Sequence, residues 1–225
     1  QNLHQAENKL PLGRWWGNSP TWFAVILPYL EAGNQYAMWK LDQGYYDAVN
    51  KPAREQGVPS YICPTRRSGP MLSKEDPSRP GPGATGDYAG SAGDWVEYYP
   101  YWDGMIVSYS TTLGNVSYNW RRYAISFRDV KDGLSNTILA GEKHILAGKL
   151  LEPYADSSIY NGDYWENYMV FGGLKWPIAK SPEDSTQPAV FGSWHPGICQ
   201  FVFGDGRVEA LAVSLDVETL RRLVK

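Results

Sequence analysis

The sequence predicts an α+β fold, with antiparallel strands near the C-terminus and helices at both ends of the chain. Three observations favour it. The stretch ICQFVF at 198–203 lies between Pro196-Gly197 and the Gly-Asp-Gly turn at 204–206, as a strand between two turns does. Residues 216–225, with Asp216 as N-cap, repeat apolar side chains at helical spacing. Residues 1–9 are typical of the last turns of a helix.

The N-terminal part is expected to be helical but interrupted. Residues 1–9 are interpreted as the end of a longer N-terminal helix, truncated here, which the following Leu-Pro-Leu-Gly stretch ends. Ser19 and Pro20 provide an N-cap and a first-turn proline for a second helical segment over about 21–40. This segment is expected to be kinked near Pro28 or broken at Gly33.

The middle of the chain is predicted to be rich in loops. Regions 66–120 and 148–190 are interpreted as loop-rich insertions in a single domain, 1–225, because Pro, Gly and polar residues interrupt their apolar patterns. Between them, a short helix is predicted near 127–133 and a core strand over 137–146, TILAGEKHIL. Binding residues most often lie in such loops, so these insertions are the places where a site is expected.

The C-terminal hairpin places a histidine and an aspartate far apart. His195 lies at the open end of the strand at 198–203 and Asp205 in the turn at its other end, roughly 30 Å away at about 3.3 Å per residue. The two therefore cannot form a catalytic pair. Asp205 is expected to cap its own turn, where Gly206 supplies a positive φ, and His195 to be a turn histidine that is hydrogen-bonded to a neighbouring loop.

Composition argues against two classes of partner. The formal net charge is −3 and the isoelectric point about 5.7, with Lys and Arg scattered, which argues against nucleic acid. The longest apolar run, residues 22–30, contains Pro28 and is too short to cross a bilayer.

The two cysteines, Cys63 and Cys199, lack the spacing of a metal motif. Two alternatives remain open for them, a disulfide or two buried free thiols.

Aromatic residues with polar groups are unusually frequent. The chain has 10 Trp and 16 Tyr but only 6 Phe. Such side chains are favoured where one edge is apolar and the other is wet, as on a platform that stacks against sugars. The alternative is that the rings stiffen long loops. The rings that would form a ligand platform are Trp15, Trp16, Tyr99, Tyr101, Trp102 and Trp165.

No group of residues has a spacing specific to catalysis, so the chain is predicted not to be an enzyme and to hold no cofactor. Glu142, His144 and His195 offer carboxylate and imidazole groups that suit zinc, but structural roles are preferred for them and no metal site is assigned. Calcium is the alternative considered, although no aspartate has the spacing of an EF-hand loop. The aspartates in question are Asp87, Asp94, Asp103, Asp156 and Asp163.

An ordered series of short motifs covers nearly the whole chain. They are residues 1–13, ILPYLE at 26–31, YICP at 61–64, DYAGSAG at 87–93, DGLSNTI at 132–138 with Gly141-Glu142, and His195 to Gly206. On these motifs the chain resembles the bacterial prepilin-type proteins with an H-x9-DG signature, a family of unknown function also labelled solute-binding-like. Ser91 and Arg207 depart from the Asn and Ser usual in that family. Structural roles are expected for the motif residues Cys63, Asn136, Glu142, His195, Asp205 and Gly206.

The resemblance implies a pilin-like fold, in which an N-terminal helix packs on an antiparallel sheet. It also implies a pilin-type leader and an apolar helix upstream, held in the inner membrane or in a filament core. The expected function is that of a non-enzymatic subunit of a type IV pilus or of a type II secretion pseudopilus. Its partners would be other pilin-like subunits, on the periplasmic or extracellular face of a bacterial envelope. The alternative is a surface-anchored module that binds carbohydrate or another solute.

Overall fold

A five-stranded mixed sheet organises the fold. The computed structural model describes residues 2–74, 76–78, 81–94, 102–108, 124–185 and 188–225. The strand order is β3-β1-β2-β4-β5, and every adjacent pair is antiparallel except β1 with β3. The α+β class is confirmed, whereas the wholly antiparallel sheet that we expected is corrected to a mixed one. The strands are β1 (Tyr88–Ser91), β2 (Ile138–Glu142), β3 (Met169–Val170), β4 (Ile198–Phe203) and β5 (Val208–Ala212).

The C-terminal hairpin of β4 and β5 lies where its sequence predicts. Residues 198–202 pair with 208–212 in antiparallel register. Burial alternates along β4 as in a strand with one face on a core, and the buried residues are Cys199, Phe201 and Phe203. In β5, Leu211 packs toward the core while Val208 is 64% exposed. The hairpin therefore presents an apolar side chain on its outer face.

Two strands lie inside regions that the sequence assigned to loop-rich insertions. β1 falls within 66–120 and β3 within 148–190, so these regions supply part of the sheet. The prediction failed because β1 consists of Tyr, Ala, Gly and Ser and lacks the β-branched side chains that mark strands. Packing requires the glycine, since a Cβ on Gly90 would lie 2.7 Å from side-chain atoms of Ile106.

The helical segment expected over 21–40 is broken into three short pieces. These are α2 (Trp22–Val25), a 3-10 turn (Leu27–Leu30) and α3 (Gly33–Met38). The turn that contains Pro28 ends at Glu31, whose φ of 59° is left-handed and incompatible with a continuing helix. The chain therefore breaks both at the proline and before Gly33.

The remaining helices are also short. α5 (Val217–Leu223) begins as predicted, because the Asp216 carboxylate accepts a hydrogen bond from the backbone N–H of Thr219 at 2.9 Å. Within the described ranges, no helix has the length and apolar content needed to span a bilayer. The others are α1 (Asn2–Glu7), α4 (Lys51–Arg54) and 3-10 turns at Ala48–Asn50, Pro59–Tyr61, Phe127–Asp129 and Trp165–Asn167.

The sheet contributes to two hydrophobic clusters. Successive residues of β3 belong to different clusters, Met169 to one and Val170 to the other, as expected for side chains on opposite faces. The first cluster joins the sheet to α2 and to the aromatic residues of the N-terminal half. The second joins β4 to α5 through Leu220 and Val224. The loops at the strand ends are thus anchored to a sheet that is packed on both faces.

Candidate functional site

A buried network of charged side chains lies beside the sheet. Asp87 Oδ1 pairs with Arg66 Nη1 at 3.0 Å and with Arg67 Nη2 at 2.7 Å, and Asp156 Oδ2 pairs with Arg67 Nη1 at 2.9 Å. Lys143 Nζ lies 3.9 Å from Asp156 Oδ1. All five side chains are at most 2% exposed. Burial lowers the pKa of Lys143 to about 8, with the two arginines adding to this effect and Asp156 opposing it.

The network connects three segments that are distant in the sequence. Arg66 Nη2 donates hydrogen bonds to the carbonyl of Lys143 after β2 (2.9 Å) and to that of Gly192 before β4 (3.1 Å). Asp87, just before β1, accepts a hydrogen bond from the backbone N–H of Cys63 at 2.8 Å. Because buried charges are costly to separate, this arrangement holds the loop of Cys63 against the ends of β2 and β4.

Cys63, Glu142 and His195 meet at the place where those segments converge. Cys63 Sγ lies 3.6 Å from His195 Nε2, and the same nitrogen lies 3.6 Å from Glu142 Oε1. Ligand atoms of all three residues lie within 4.8 Å of one another. Cys63 and Glu142 are buried, while the His195 side chain is 27% exposed. The cluster therefore lies just below the surface and is reached past the imidazole.

His195 and Glu142 are each oriented by a second contact. His195 Nδ1 faces Thr65 Oγ1 at 3.4 Å, so Nε2 is the nitrogen directed at the cluster. Glu142 Oε2 accepts a hydrogen bond from the backbone N–H of Gln200 at 2.9 Å. Glu142 Oε1 is buried and has no hydrogen-bond partner among the described residues. This oxygen is directed toward Cys63 and toward His195, whose Nε2 is too far away for a hydrogen bond.

The electrostatics of the cluster disfavour a free thiolate. Burial raises the pKa of the Cys63 thiol, and the Glu142 carboxylate raises it further, against backbone hydrogen bonds that lower it. A nucleophilic cysteine needs the opposite environment, one that lowers its pKa. The arrangement is thus better suited to binding a positive charge than to nucleophilic catalysis.

Two of these three residues, Glu142 and His195, are among the metal candidates that the sequence offers, whereas the third candidate, His144, lies elsewhere. His144 is two residues from Glu142, but its Nε2 contacts the carbonyl oxygen of Asp184 at 2.7 Å and it lines a different cavity. Cys63 takes its place beside Glu142 and His195. The local signal at Cys63 was a short apolar stretch between two prolines, which gave no indication of a partner 132 positions away.

The two cysteines are free and buried, which is one of the two alternatives that the sequence left open. The disulfide between Cys63 and Cys199 is absent from the structure. Burial also raises the pKa of the Cys199 thiol well above its usual value. Its Sγ lies 3.7 Å from the backbone carbonyl oxygen of Glu142, so Cys199 packs behind the cluster without being one of its three members.

Three other motif residues shape turns. Asp205 Oδ1 accepts a hydrogen bond from the backbone N–H of Arg207 at 2.9 Å, and Gly206 has a φ of 89°. Asn136 Nδ2 donates to the carbonyl of Asp132 at 2.9 Å. These contacts place all three residues in turns.

The proposed aromatic platform is divided in the structure. Trp15 and Trp16 line an open groove of about 580 Å³ with Tyr36, Trp39, Lys40, Leu41 and Asp42. Trp102 and Trp165 instead pack their rings against Phe171, with centroids 6.3 and 5.5 Å away. Tyr99 and Tyr101 lie outside the described residues. Only the first part of the platform therefore forms a groove in the described structure.

The aspartates considered for calcium have other partners. Asp87 and Asp156 are paired with the buried arginines described above. Lys225 Nζ lies 3.8 Å from Asp94 Oδ2 and 3.0 Å from Asp103 Oδ2. Cationic side chains therefore already meet four of the five carboxylates that the sequence offered for calcium.

The family comparison covers nearly the whole chain. Residues 1–218 match the model of a family described as "Protein of unknown function (DUF1559)". Neither the search of curated proteins nor the search of solved structures returned a match.

Proposed function

The chain belongs to the DUF1559 family, a family of unknown function, and from this membership and its ordered motifs we propose that it is a pilin-like or pseudopilin-like subunit. In this proposal it is non-enzymatic and assembles with other pilin-like subunits on the periplasmic or extracellular face of a bacterial envelope. The H-x9-DG resemblance, from His195 to Gly206, supports this proposal.

The observation that carries the proposal is the position of α1 beside the sheet. Leu3 of α1, Ala140 of β2 and Gly206 of the β4–β5 turn line one cleft of about 340 Å³. His4 stacks on Phe127 with ring centroids 3.6 Å apart, which fixes α1 against the segment that precedes β2. A helix beside the sheet in this way is consistent with a pilin-like head, in which the helix and the sheet face form the assembly surface.

The proposal is tested by immuno-gold electron microscopy of native cells, with an antibody against the domain of residues 1–225. Labelling along filaments or on the envelope is the expected result. Labelling confined to the cytoplasm would overturn it.

A paired substitution tests the assembly surface itself. Val208 is 64% exposed on the outer face of β5, and Leu174 is 59% exposed outside the sheet. Val208→Lys is expected to reduce incorporation into cell-surface assemblies while the variant still folds, and Leu174→Lys to leave incorporation unchanged. Equal incorporation of both variants would contradict this use of the β4–β5 face.

The groove of Trp15 and Trp16 favours a second function, the binding of carbohydrate. Its aromatic rings offer faces for stacking, and Asp42 and Lys40 offer groups that bond to hydroxyls. Glycan screening of the purified domain should give binding that Trp16→Ala removes. Tyr154→Ala, at a ring that is 56% exposed in a different cavity, is the matched control. Binding that survives Trp16→Ala would exclude the groove as the site.

A further inference from the structure

The cluster of Cys63, Glu142 and His195 has no role in the assembly proposed above, and its chemistry indicates a separate one. We propose that these three residues form a transition-metal site that takes zinc, with a fourth position left for water or a ligand. The site lies within one folded chain and does not depend on the chain being a filament subunit.

Two distances in the cluster match the ligand separations of a metal site. A tetrahedral zinc ion with ordinary bonds to sulfur, nitrogen and oxygen separates its ligand atoms by about 3.4–3.6 Å. The Cys63 Sγ to His195 Nε2 distance and the His195 Nε2 to Glu142 Oε1 distance are both 3.6 Å. The second distance is too long for a hydrogen bond between nitrogen and oxygen. Two of the three ligand separations therefore already match those around a zinc ion, and the third, between Cys63 Sγ and the Glu142 carboxylate, lies within 4.8 Å.

The unpartnered carboxylate oxygen is an independent indication of a missing ligand. Glu142 is fully buried, yet Oε1 accepts no hydrogen bond from the described residues. The polar groups that face it are the Cys63 thiol and His195 Nε2, and metal coordination is one of the ways in which proteins satisfy a buried polar oxygen. Its direction toward Cys63 and His195 places the missing partner between the three side chains.

The donor set selects the class of metal. A thiolate together with an imidazole and a carboxylate suits zinc and similar transition metals, whereas calcium and magnesium prefer oxygen ligands alone. Three protein ligands leave one tetrahedral position for another group. The partly exposed His195 and the exposed Thr65 lie on the solvent side, so an ion can enter there.

The surroundings hold the three ligands in place before a metal arrives. The backbone N–H of Cys63 is fixed by Asp87, Glu142 Oε2 by Gln200, and the backbone N–H of His195 by Ser193 Oγ at 2.9 Å. Contacts of this kind orient the residues that bind a metal and raise its affinity.

Cobalt(II) provides a direct test because it substitutes for zinc and reports its ligands by absorption. We expect one equivalent of cobalt added to the chelator-treated domain to give a thiolate-to-cobalt charge-transfer band and the strong visible bands of a tetrahedral site. Zinc should displace both. Without a charge-transfer band at one equivalent, the proposal fails.

Four variants identify the ligands. Cys63→Ser should abolish the charge-transfer band, and His195→Gln and Glu142→Gln should each weaken zinc affinity by more than about tenfold. Cys199→Ser is the matched control, since it removes a buried thiol outside the cluster, and it should keep the band. A band that survives Cys63→Ser, or one that only Cys199→Ser removes, would overturn the assignment.

A second measurement covers the case in which a buried variant fails to fold. His195 is partly exposed, so His195→Gln is expected to keep the parent's circular dichroism spectrum. Zinc chloride should raise the melting temperature of the parent and not that of His195→Gln, because only a metal bound to the native state stabilises it. Equal shifts in both proteins would refute a site that contains His195.

Discussion

Removal of the Asp87 carboxylate is predicted to destabilise the chain more than any surface substitution. Asp87 is fully buried and is paired with the guanidinium groups of Arg66 and Arg67 at 3.0 and 2.7 Å. Removing one partner of a buried ion pair costs about 3–5 kcal/mol, because the remaining charge is left without compensation. Arg67 keeps Asp156, which limits the loss, whereas the buried N–H of Cys63 loses its acceptor. We therefore expect Asp87→Ala to lower the free energy of unfolding by about 3–5 kcal/mol.

The assay is urea unfolding of the metal-free domain, monitored by tryptophan fluorescence. The free energy of unfolding is extrapolated to zero urea. Asp132→Ala, at an exposed aspartate, is the control and should change the free energy of unfolding by no more than about 0.5 kcal/mol. Asp87→Asn, which keeps the shape but not the charge, should fall between the two. If Asp87→Ala unfolds with a free energy within about 1 kcal/mol of the parent, the network is not a major source of stability and the reasoning is refuted.

Three further predictions concern a turn, a titration and the thiols. Gly206→Val should lower the free energy of unfolding by about 1–3 kcal/mol, because the φ of Gly206 is 89°. Gly69→Val, at a position where no atom crowds a new Cβ, should lower it less, and equal losses would contradict this prediction. Burial lowers the pKa of His4 from 6.5, so the unfolded chain binds more protons and stability should fall as the pH drops through about 6.5. His4→Phe should make that fall shallower, while His144, whose pKa burial also lowers, keeps part of it; an unchanged slope would refute the prediction. Cys63 and Cys199 should resist a thiol reagent in the native state and give two reactive thiols after unfolding without reductant. If no thiol reacts after unfolding, the two cysteines form a disulfide.

The elements that the sequence predicted correctly are those with local signals. The hairpin of β4 and β5 has alternating apolar residues between glycine turns, and α5 has an N-cap with helical spacing behind it. Such patterns act over a few residues and are readable without the rest of the chain. β1 had no such signal, because Gly90 at its centre is required by close packing against a residue distant in the sequence, Ile106.

The candidate site could be predicted only in part for the same reason. Glu142 and His195 were recognisable as groups able to bind metal, but their spacing in the sequence does not indicate that they meet. Cys63 joins them through the buried network of Arg66 and Asp87. The hydrogen bonds of Arg66 in this network reach residues 77 and 126 positions further along the chain. Long-range contacts of this kind depend on the whole fold, so local sequence patterns favoured His144 as the nearest alternative.

The most direct test of the metal site is X-ray absorption spectroscopy at the zinc edge of the domain loaded with one equivalent of zinc. A site formed by Cys63, Glu142 and His195 predicts one sulfur neighbour at about 2.3 Å together with nitrogen and oxygen neighbours at about 2.0–2.2 Å. Cys63→Ser should lose the sulfur contribution and His195→Gln the imidazole contribution. A zinc ion surrounded only by oxygen and nitrogen in the parent protein would contradict the proposed site.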